Sequence, residues 1–246
     1  MNNISIVYNK NIKDKIDSQE LLKGVYIIST PIGNILDITI RAISILNVAN
    51  VILCEDTRVT MKLLQFYGIE NRKLVCFNDI TENKNLEKYI NMIKENGIVA
   101  VVSDAGTPMI SDPGFKLVRE ITKLGMNVFS VPGPSAAISA LTLSALPTDS
   151  FFFYGFLSPK NGKKLSELQL LHTIKTTIII YESPFKVINT LHAISEVFGN
   201  DVEISVSREI TKKFEETLRG KICNVIEIIR SKSIKGEFII VINNRN

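Results

Sequence analysis

One segment concentrates the side chains that could bind and transform a ligand. Residues 103–114 read Ser-Asp-Ala-Gly-Thr-Pro-Met-Ile-Ser-Asp-Pro-Gly, which combines carboxylates, hydroxyl groups and glycines. An apolar run at 98–102 ends just before this segment, and an apolar-periodic stretch at 115–124 follows it. This order predicts a buried parallel strand, a loop at its carboxyl end and a returning helix. Ligands of open α/β sheets bind outside those carboxyl ends, so the segment is the first candidate site.

An ordinary strand-to-helix loop is the alternative interpretation of this segment. Asp112 would then be the N-cap of the following helix, and Pro113 would occupy its first position. That interpretation leaves Asp104, Gly106 and Thr107 without a role, because most such loops need only a few residues. The polar content therefore favours a ligand site.

Composition restricts the class of protein. The chain has 246 residues, 45% of them hydrophobic and 22% charged, as is usual for a soluble globular protein of one large or two small domains. Its net charge of +4 is compatible with a nucleic-acid partner without requiring one. The three cysteines and two histidines show no metal-like spacing, which predicts no metal site and a reduced, cytoplasmic location. The uncharged run 124–148 contains Pro-Gly-Pro, so we interpret it as buried interior rather than a membrane span.

Apolar strands alternate with helical patterns along the chain, which predicts an α/β fold throughout. We expect a mobile N-terminal arm at 1–23, an N-terminal α/β domain at 24–148 and a C-terminal α/β domain at 149–246. The first strand runs into Thr-Pro-Ile-Gly-Asn at 30–34, a turn with one glycine and therefore no dinucleotide fingerprint. Glu55 follows at the spacing of a ribose-binding acid, although Glu55-Asp56-Thr57 can equally cap the next helix.

Several motifs together resemble the tetrapyrrole methylase superfamily of S-adenosylmethionine-dependent methyltransferases. The resemblance extends over about 24–242 and is carried by Ser-Thr-Pro-Ile-Gly-Asn at 29–34, Glu-Asp-Thr-Arg at 55–58, the segment 103–114, Pro-Gly-Pro at 132–134, Tyr-Glu-Ser at 181–183, Ser-Arg-Glu at 207–209 and Lys-Gly-Glu at 235–237. It implies two α/β domains of the tetrapyrrole methylase type with a ligand cleft between them, and a homodimer. The Gly-Asp-Pro of the tetrapyrrole-modifying relatives is Gly106-Thr107-Pro108 here, which favours the RNA-modifying branch.

That branch implies 2′-O-methylation of a cytidine ribose in small-subunit ribosomal RNA, either free or in the assembled subunit, with S-adenosylmethionine as donor. We expect the donor to contact backbone groups and small residues, together with one strand end: Pro31, Gly33, Gly106, Thr107, Ile110, Ser135, Tyr181 and Ser183. Asp104 and Glu182 follow strands of opposite domains, so either could be the general base while the other holds a ribose or ammonium group. For Glu182, helix capping or an ion pair is an equally good interpretation.

Five basic residues are candidates for binding RNA phosphates, although exposed lysines are usually only solvated. They are Arg58, Lys160, Lys163, Lys164 and Arg208. The sequence departs from the branch at Asn78, where a histidine is usual. It also ends at Asn246, where many relatives continue into a small helical domain, so the resemblance does not define how RNA docks.

Three other functions have distinguishing features. A tetrapyrrole methyltransferase would share the fold and the donor but would bind an acidic macrocycle. A nucleotide-binding oxidoreductase would need the glycine fingerprint that is absent here. A non-catalytic RNA-binding module would have no affinity for the methyl donor.

Overall fold

The computed structural model describes residues 10–232 and 234–245, which form two compact units. The first unit ends at Pro134 and omits Ile32–Asn34, which belong to the second unit with Ser135 and the residues that follow it. Each unit contains a five-stranded sheet covered by helices. This arrangement confirms the predicted class of two α/β domains.

The first sheet is entirely parallel, with strand order β3-β2-β4-β1-β5. Its strands are β1 (Gly24–Ile28), β2 (Val51–Cys54), β3 (Lys73–Cys76), β4 (Ile98–Val102) and β5 (Val128–Val131). The helices of this unit are α1 (Lys10–Asp17), α2 (Ile40–Val48), α3 (Thr57–Phe66), α4 (Asp79–Glu95) and α5 (Phe115–Lys123). Each crossover returns the chain to the same end of the sheet, so all five carboxyl ends share one edge.

The central strands are buried on both faces, which explains their nearly continuous apolar sequence. In β1, Tyr26 and Ile28 pack in one core with α2 and α3, whereas Val25 and Ile27 pack in another core with α4 and α5. This division follows from the two-residue period of a strand. Helices on both faces therefore fix the loops at the carboxyl edge.

The second sheet is mixed, with strand order β6-β7-β10-β8-β9. Its strands are β6 (Phe151–Phe156), β7 (Thr177–Glu182), β8 (Glu203–Arg208), β9 (Glu216–Lys221) and β10 (Phe238–Asn243), and its helices are α6 (Ala136–Leu143), α7 (Asn161–His172), α8 (Val187–Phe198) and α9 (Ile222–Arg230). β6 runs parallel to β7, and the other neighbouring pairs are antiparallel. One core lies beneath α7, α8 and α9, and a second lies beneath α6.

The small-residue helix α6 lies in the second unit, although the sequence placed it in the domain 24–148. Its buried residues Ala137, Ala140 and Leu141 share a core with Ile179 and Val241 of the second sheet. The division consequently falls at Pro134/Ser135 instead of near residue 148. Small side chains permit this close packing but do not indicate which sheet they pack against.

Within the expected arm 1–23, residues 10–17 form the helix α1, and none of its residues is buried. Residues 1–9 of the expected arm 1–23 lie outside the described residues.

Helix α4 begins at Asp79 and is kinked at Asn85. Asn78 caps it, because its side chain accepts a hydrogen bond from the Thr81 N–H and its own N–H donates to Thr81 Oγ1.

The uncharged run 124–148 contains strand β5 and helix α6. Within 10–232 and 234–245, no helix combines the length and apolar character needed to cross a membrane.

Candidate functional site

The connections after β1 and β4 are joined at the carboxyl edge of the first sheet. The N–H of Thr30 donates to the oxygen of Gly106 at 2.9 Å, and the N–H of Gly106 donates to the oxygen of Thr30 at 3.0 Å. The hydroxyl of Thr30 also donates to the oxygen of Ser103 at 3.1 Å. The turn that follows β1 and the segment 103–114 are therefore held together by hydrogen bonds to the backbone.

The connection after β5 joins the same structure. Thr107 Oγ1 donates to the oxygen of Pro134 at 3.1 Å and lies 2.9 Å from Ser29 Oγ. A Cβ at Gly133 would lie 3.0 Å from the Cβ of Ser29, so this close approach favours glycine. Thr107, predicted to contact the methyl donor, thus also holds three strand ends together.

Asp112 is not the N-cap of α5, contrary to the alternative interpretation of this loop. The N-cap is Gly114, whose φ is 127°. The buried carboxylate of Glu82, on α4, accepts hydrogen bonds from the N–H groups of Gly114 at 3.3 Å and Leu117 at 2.9 Å. A side chain distant in sequence therefore caps α5, which leaves the Asp112 carboxyl available for other contacts.

The backbone of this loop is unusual at two non-glycine residues. Met109 and Ser111 have φ values of 71° and 68°, in the left-handed region that costs such residues free energy. Gly106 has a φ of 81°, which glycine adopts readily. Between them, the side chain of Ile110 is exposed. Strain of this kind persists only where the surrounding structure fixes it, and it clusters at functional sites.

Three carboxyl groups meet at this edge, and burial raises the pKa of each. Burial, followed by the negative charges of Asp112 and Asp104, raises the pKa of Glu55 from 4.5 to about 7. Burial raises the pKa of Asp112 from 3.8 to about 6, against the lowering effect of a hydrogen bond with Ser103. Burial also raises the pKa of Asp104, whose Oδ1 accepts a hydrogen bond from the Asp56 N–H at 3.0 Å.

Glu55 contributes the least satisfied atom of this group. Its Oε1 is buried and has no hydrogen-bond partner among the described residues. An oxygen in this state favours a donor supplied by a ligand, or a proton of its own. Glu55 is not among the predicted site residues, although the Glu-Asp-Thr-Arg motif contains it. The sequence does not reveal the order of the strands. In the structure β2, which ends just before Glu55, lies directly beside β4, which ends just before the segment 103–114.

Replacing Glu55 with glutamine should change how stability depends on pH. The pKa of Glu55 is higher in the folded state, about 7 against 4.5, so the folded protein binds more protons between these values. Wild-type stability should therefore fall as pH rises through this window. In Glu55→Gln that fall should be smaller, as measured by denaturant unfolding at several pH values. Glu87→Gln, at an exposed position of α4, is the control, and identical pH profiles for wild type and Glu55→Gln would contradict the expectation.

Asp56 caps α3 and fixes Arg58. Asp56 Oδ1 accepts a hydrogen bond from the Arg58 N–H at 2.8 Å, and the guanidinium lies 2.5 Å from the same carboxylate. The arginine side chain is largely exposed, so it stays a candidate for contact with RNA phosphates. Capping was one of the two roles left open for the Glu-Asp-Thr motif.

In the second unit, Glu182 belongs to a buried hydrogen-bond chain. It is 5% exposed, its Oε1 accepts from the Ser183 N–H at 2.7 Å, and its Oε2 accepts from the Thr190 hydroxyl at 2.6 Å. Lys164 Nζ donates to the same Thr190 oxygen at 2.8 Å. Both carboxylate oxygens are thus used within the protein, which favours the structural role over the catalytic one for Glu182.

Burial of Lys164 argues against the predicted RNA contact there. Its side chain lies on α7 beneath the surface, with the residue only 3% exposed. Lys164 lies in the first turn of α7, which begins at Asn161. Lys160 and Lys163 of the same segment are exposed, and Arg208 ends β8 with partial exposure, so these three stay candidates.

The remaining predicted donor contacts divide between the two units. Pro31 follows the bridge residue Thr30 in the first unit. In the second unit, Ser135 is the N-cap of α6, and the hydroxyl of Tyr181 accepts from the Ala137 N–H at 3.1 Å. A Cβ at Gly33 would lie 2.7 Å from Thr211 Oγ1, so only glycine fits there.

The sequence profile of the Tetrapyrrole (Corrin/Porphyrin) Methylases matches residues 24–225. The chain belongs to this family. A relative in Rickettsia prowazekii (strain Madrid E), named ribosomal RNA small subunit methyltransferase I, is 47% identical over 91% of this chain and 79% of its own. A relative of the same name in Hydrogenobaculum sp. (strain Y04AAS1) is 43% identical over 90% of this chain and 96% of its own.

Two solved structures share the fold of this chain. Diphthine synthase matches with a TM-score of 0.69 and 13% identity, over 89% of each chain. The uroporphyrin-III C-methyltransferase of Thermus thermophilus, solved in complex with S-adenyl homocysteine, matches with a TM-score of 0.61 and 13% identity over 89% of this chain and 96% of its own. At these identities the likeness establishes the architecture alone.

Proposed function

We propose that this protein transfers a methyl group from S-adenosylmethionine to the ribose 2′-hydroxyl of a cytidine in small-subunit ribosomal RNA. The observation that carries the proposal is the identity of 43–47%, over about nine-tenths of the chain, to relatives named ribosomal RNA small subunit methyltransferase I. The ribose and cytidine specificity comes from the motif resemblance. The same resemblance supports a homodimer acting on RNA, either free or in the small subunit.

The residues at the first sheet edge fit the methyl donor chemically. The donor carries a positively charged sulfonium and an ammonium group, and carboxylates stabilise such charges. Its ribose hydroxyls could donate to the unpartnered Oε1 of Glu55. Gly106 and Thr107 hold this loop in place through their own hydrogen bonds, and the exposed Ile110 beside them offers the donor an apolar contact. When bound, the donor supplies an electrophilic methyl group for in-line displacement by the ribose oxygen.

Asp104 is the proposed general base for the ribose hydroxyl. It is exposed, unlike Glu182, and its Oδ1 is anchored by the Asp56 N–H. Burial raises the pKa of Asp104, which makes its carboxylate a better proton acceptor than an ordinary aspartate. A carboxylate remains a weak base for an alcohol, so its assistance should come late, as charge develops on the oxygen.

The proposed RNA contacts are Arg58, Lys160, Lys163 and Arg208. Each is at least partly exposed, so each could reach a phosphate. Phosphate contacts position an RNA without specifying its sequence. Their removal should weaken binding of different RNA sequences similarly.

The test of this function is methyl transfer to purified small ribosomal subunits and to naked small-subunit RNA, with the product located by mass spectrometry. We expect one additional methyl group on the ribose of a cytidine. Both substrates are needed, because the subunit could present the nucleotide in a conformation that naked RNA lacks. A methyl group on a base atom would refute the ribose assignment, and methylation of an acidic macrocycle alone would indicate a tetrapyrrole methyltransferase.

A further inference from the structure

Two connections leave the second sheet at the same edge. Phe238 of β10 pairs with Glu182 at the end of β7 and with Arg208 at the end of β8. Both of these strands are antiparallel to β10, so they run in the same direction and end opposite the same residue of β10. The connections 183–186 and 209–215 therefore begin side by side. One strand separates β7 from β8, which places their ends about 10 Å apart.

Each connection exposes a phenylalanine. Phe185 is 93% exposed and Phe214 is 63% exposed. Single exposed apolar residues are common on protein surfaces. Two exposed aromatic rings on neighbouring connections are less common than one. Both rings contact water instead of packing into the core.

A lysine stands next to each ring. Lys186 follows Phe185, and Lys213 precedes Phe214, with its Nζ 5.6 Å from the ring centroid. Both lysines are exposed, and within residues 10–232 and 234–245 neither takes part in an ion pair. We call the four residues Phe185, Lys186, Lys213 and Phe214 the aromatic edge.

Acidic side chains near this edge have partners of their own. Glu209 accepts a hydrogen bond from Lys212 Nζ at 3.0 Å, and the same amino group lies 3.1 Å from Glu237. The carboxylate of Glu215 accepts a hydrogen bond from the Thr211 N–H. Lys212 thus pairs with Glu209 and Glu237, whereas among the described residues no carboxylate pairs with Lys186 or Lys213, which leaves both lysines available to an anionic partner.

We propose that the aromatic edge binds a single-stranded segment of the RNA substrate, with its phenyl rings stacked on unpaired bases and its lysines beside phosphates. This inference rests on the proposed function and assigns a substrate surface within the second unit. Aromatic stacking suits RNA whose bases are not paired, because bases within a duplex already stack on each other. The alternation of rings and cations fits a polyanion that carries flat bases.

The first test measures binding of a labelled single-stranded oligouridine and of an RNA duplex of equal length. Alanine at Phe185 or Phe214 should raise the Kd for the single strand roughly 5- to 150-fold and leave duplex binding unchanged. Phe185→Trp should restore the affinity, because tryptophan also presents a flat ring. The matched control is Phe151→Ala. Phe151 is 42% exposed, but it pairs with Thr177 at the start of β7, so it lies at the other end of the strands from the aromatic edge.

The second test uses salt. Lys186→Gln and Lys213→Gln should each make the negative slope of log K against log salt concentration shallower by about 0.7, the value for one phosphate contact on a single strand. An unchanged slope in both variants would overturn the phosphate contacts of the aromatic edge.

Calorimetry with S-adenosylmethionine separates failure of this inference from failure of the proposed function. We expect the alanine variants to retain wild-type affinity for the donor, because the exposed rings support no core. If wild type methylates small subunits while the alanine variants bind oligouridine as Phe151→Ala does, the inference is overturned and the function stands. Equal losses on duplex and single strand, or loss of donor affinity, would also overturn it. A wild-type protein that neither binds nor methylates RNA would overturn both.

Discussion

Asp104→Asn is expected to lower turnover by roughly a hundredfold to ten-thousandfold, the usual effect of removing a general base. The substitution nearly preserves shape, and the asparagine oxygen can still accept the hydrogen bond from the Asp56 N–H. Affinity for S-adenosylmethionine should therefore change far less than turnover. The measurements are methyl incorporation into purified small subunits and calorimetric binding of the donor.

The pH dependence of this reaction gives a second readout for Asp104. Wild-type turnover should rise with pH through the pKa of Asp104, which burial places above the usual value, because only the carboxylate accepts a proton. In Asp104→Asn that rise should disappear. Glu87→Gln is the matched control, since it removes an exposed carboxylate from α4. Wild-type turnover by Asp104→Asn would contradict the catalytic assignment.

Lys164→Met is expected to lower the free energy of unfolding by about 3 kcal/mol, as for removal of one member of a buried charged pair. Lys164 and Glu182 are joined through the hydroxyl of Thr190, with both residues buried. Without the lysine, the buried chain of Thr190 and Glu182 loses its cationic end. The measurement is denaturant unfolding followed by circular dichroism.

The neighbouring lysine provides a matched control for this effect. Lys163 is on the same helix and exposed, so Lys163→Met should change stability by no more than about 0.5 kcal/mol. The double variant Lys164→Met with Glu182→Leu should recover part of the loss, because it leaves no charge unpaired. Equal unfolding free energies for Lys164→Met and Lys163→Met would show that the buried chain contributes nothing.

The α/β class and the candidate loop 103–114 can both be predicted from the sequence alone. Continuous apolar runs such as β4 mark strands buried on both faces, and the Asp, Gly, Thr and Pro content that follows marks a loop at a strand end. These are local signals, because strand burial and turn chemistry depend mainly on neighbouring residues. The family motifs extended the same reasoning to the class of reaction.

Tertiary structure decided which residues share an environment. Strand order alone places Glu55 beside Asp104 and Asp112, where burial and mutual repulsion raise its pKa to about 7. The cap of α5 comes from Glu82, on α4, and not from Asp112 as a local motif suggested. Lys163 and Lys164 are identical in type and adjacent in sequence, yet one is exposed and the other is buried against Thr190. Helix phase and the packing of α7 against α8 decide that difference, because they set which side of the helix faces the core.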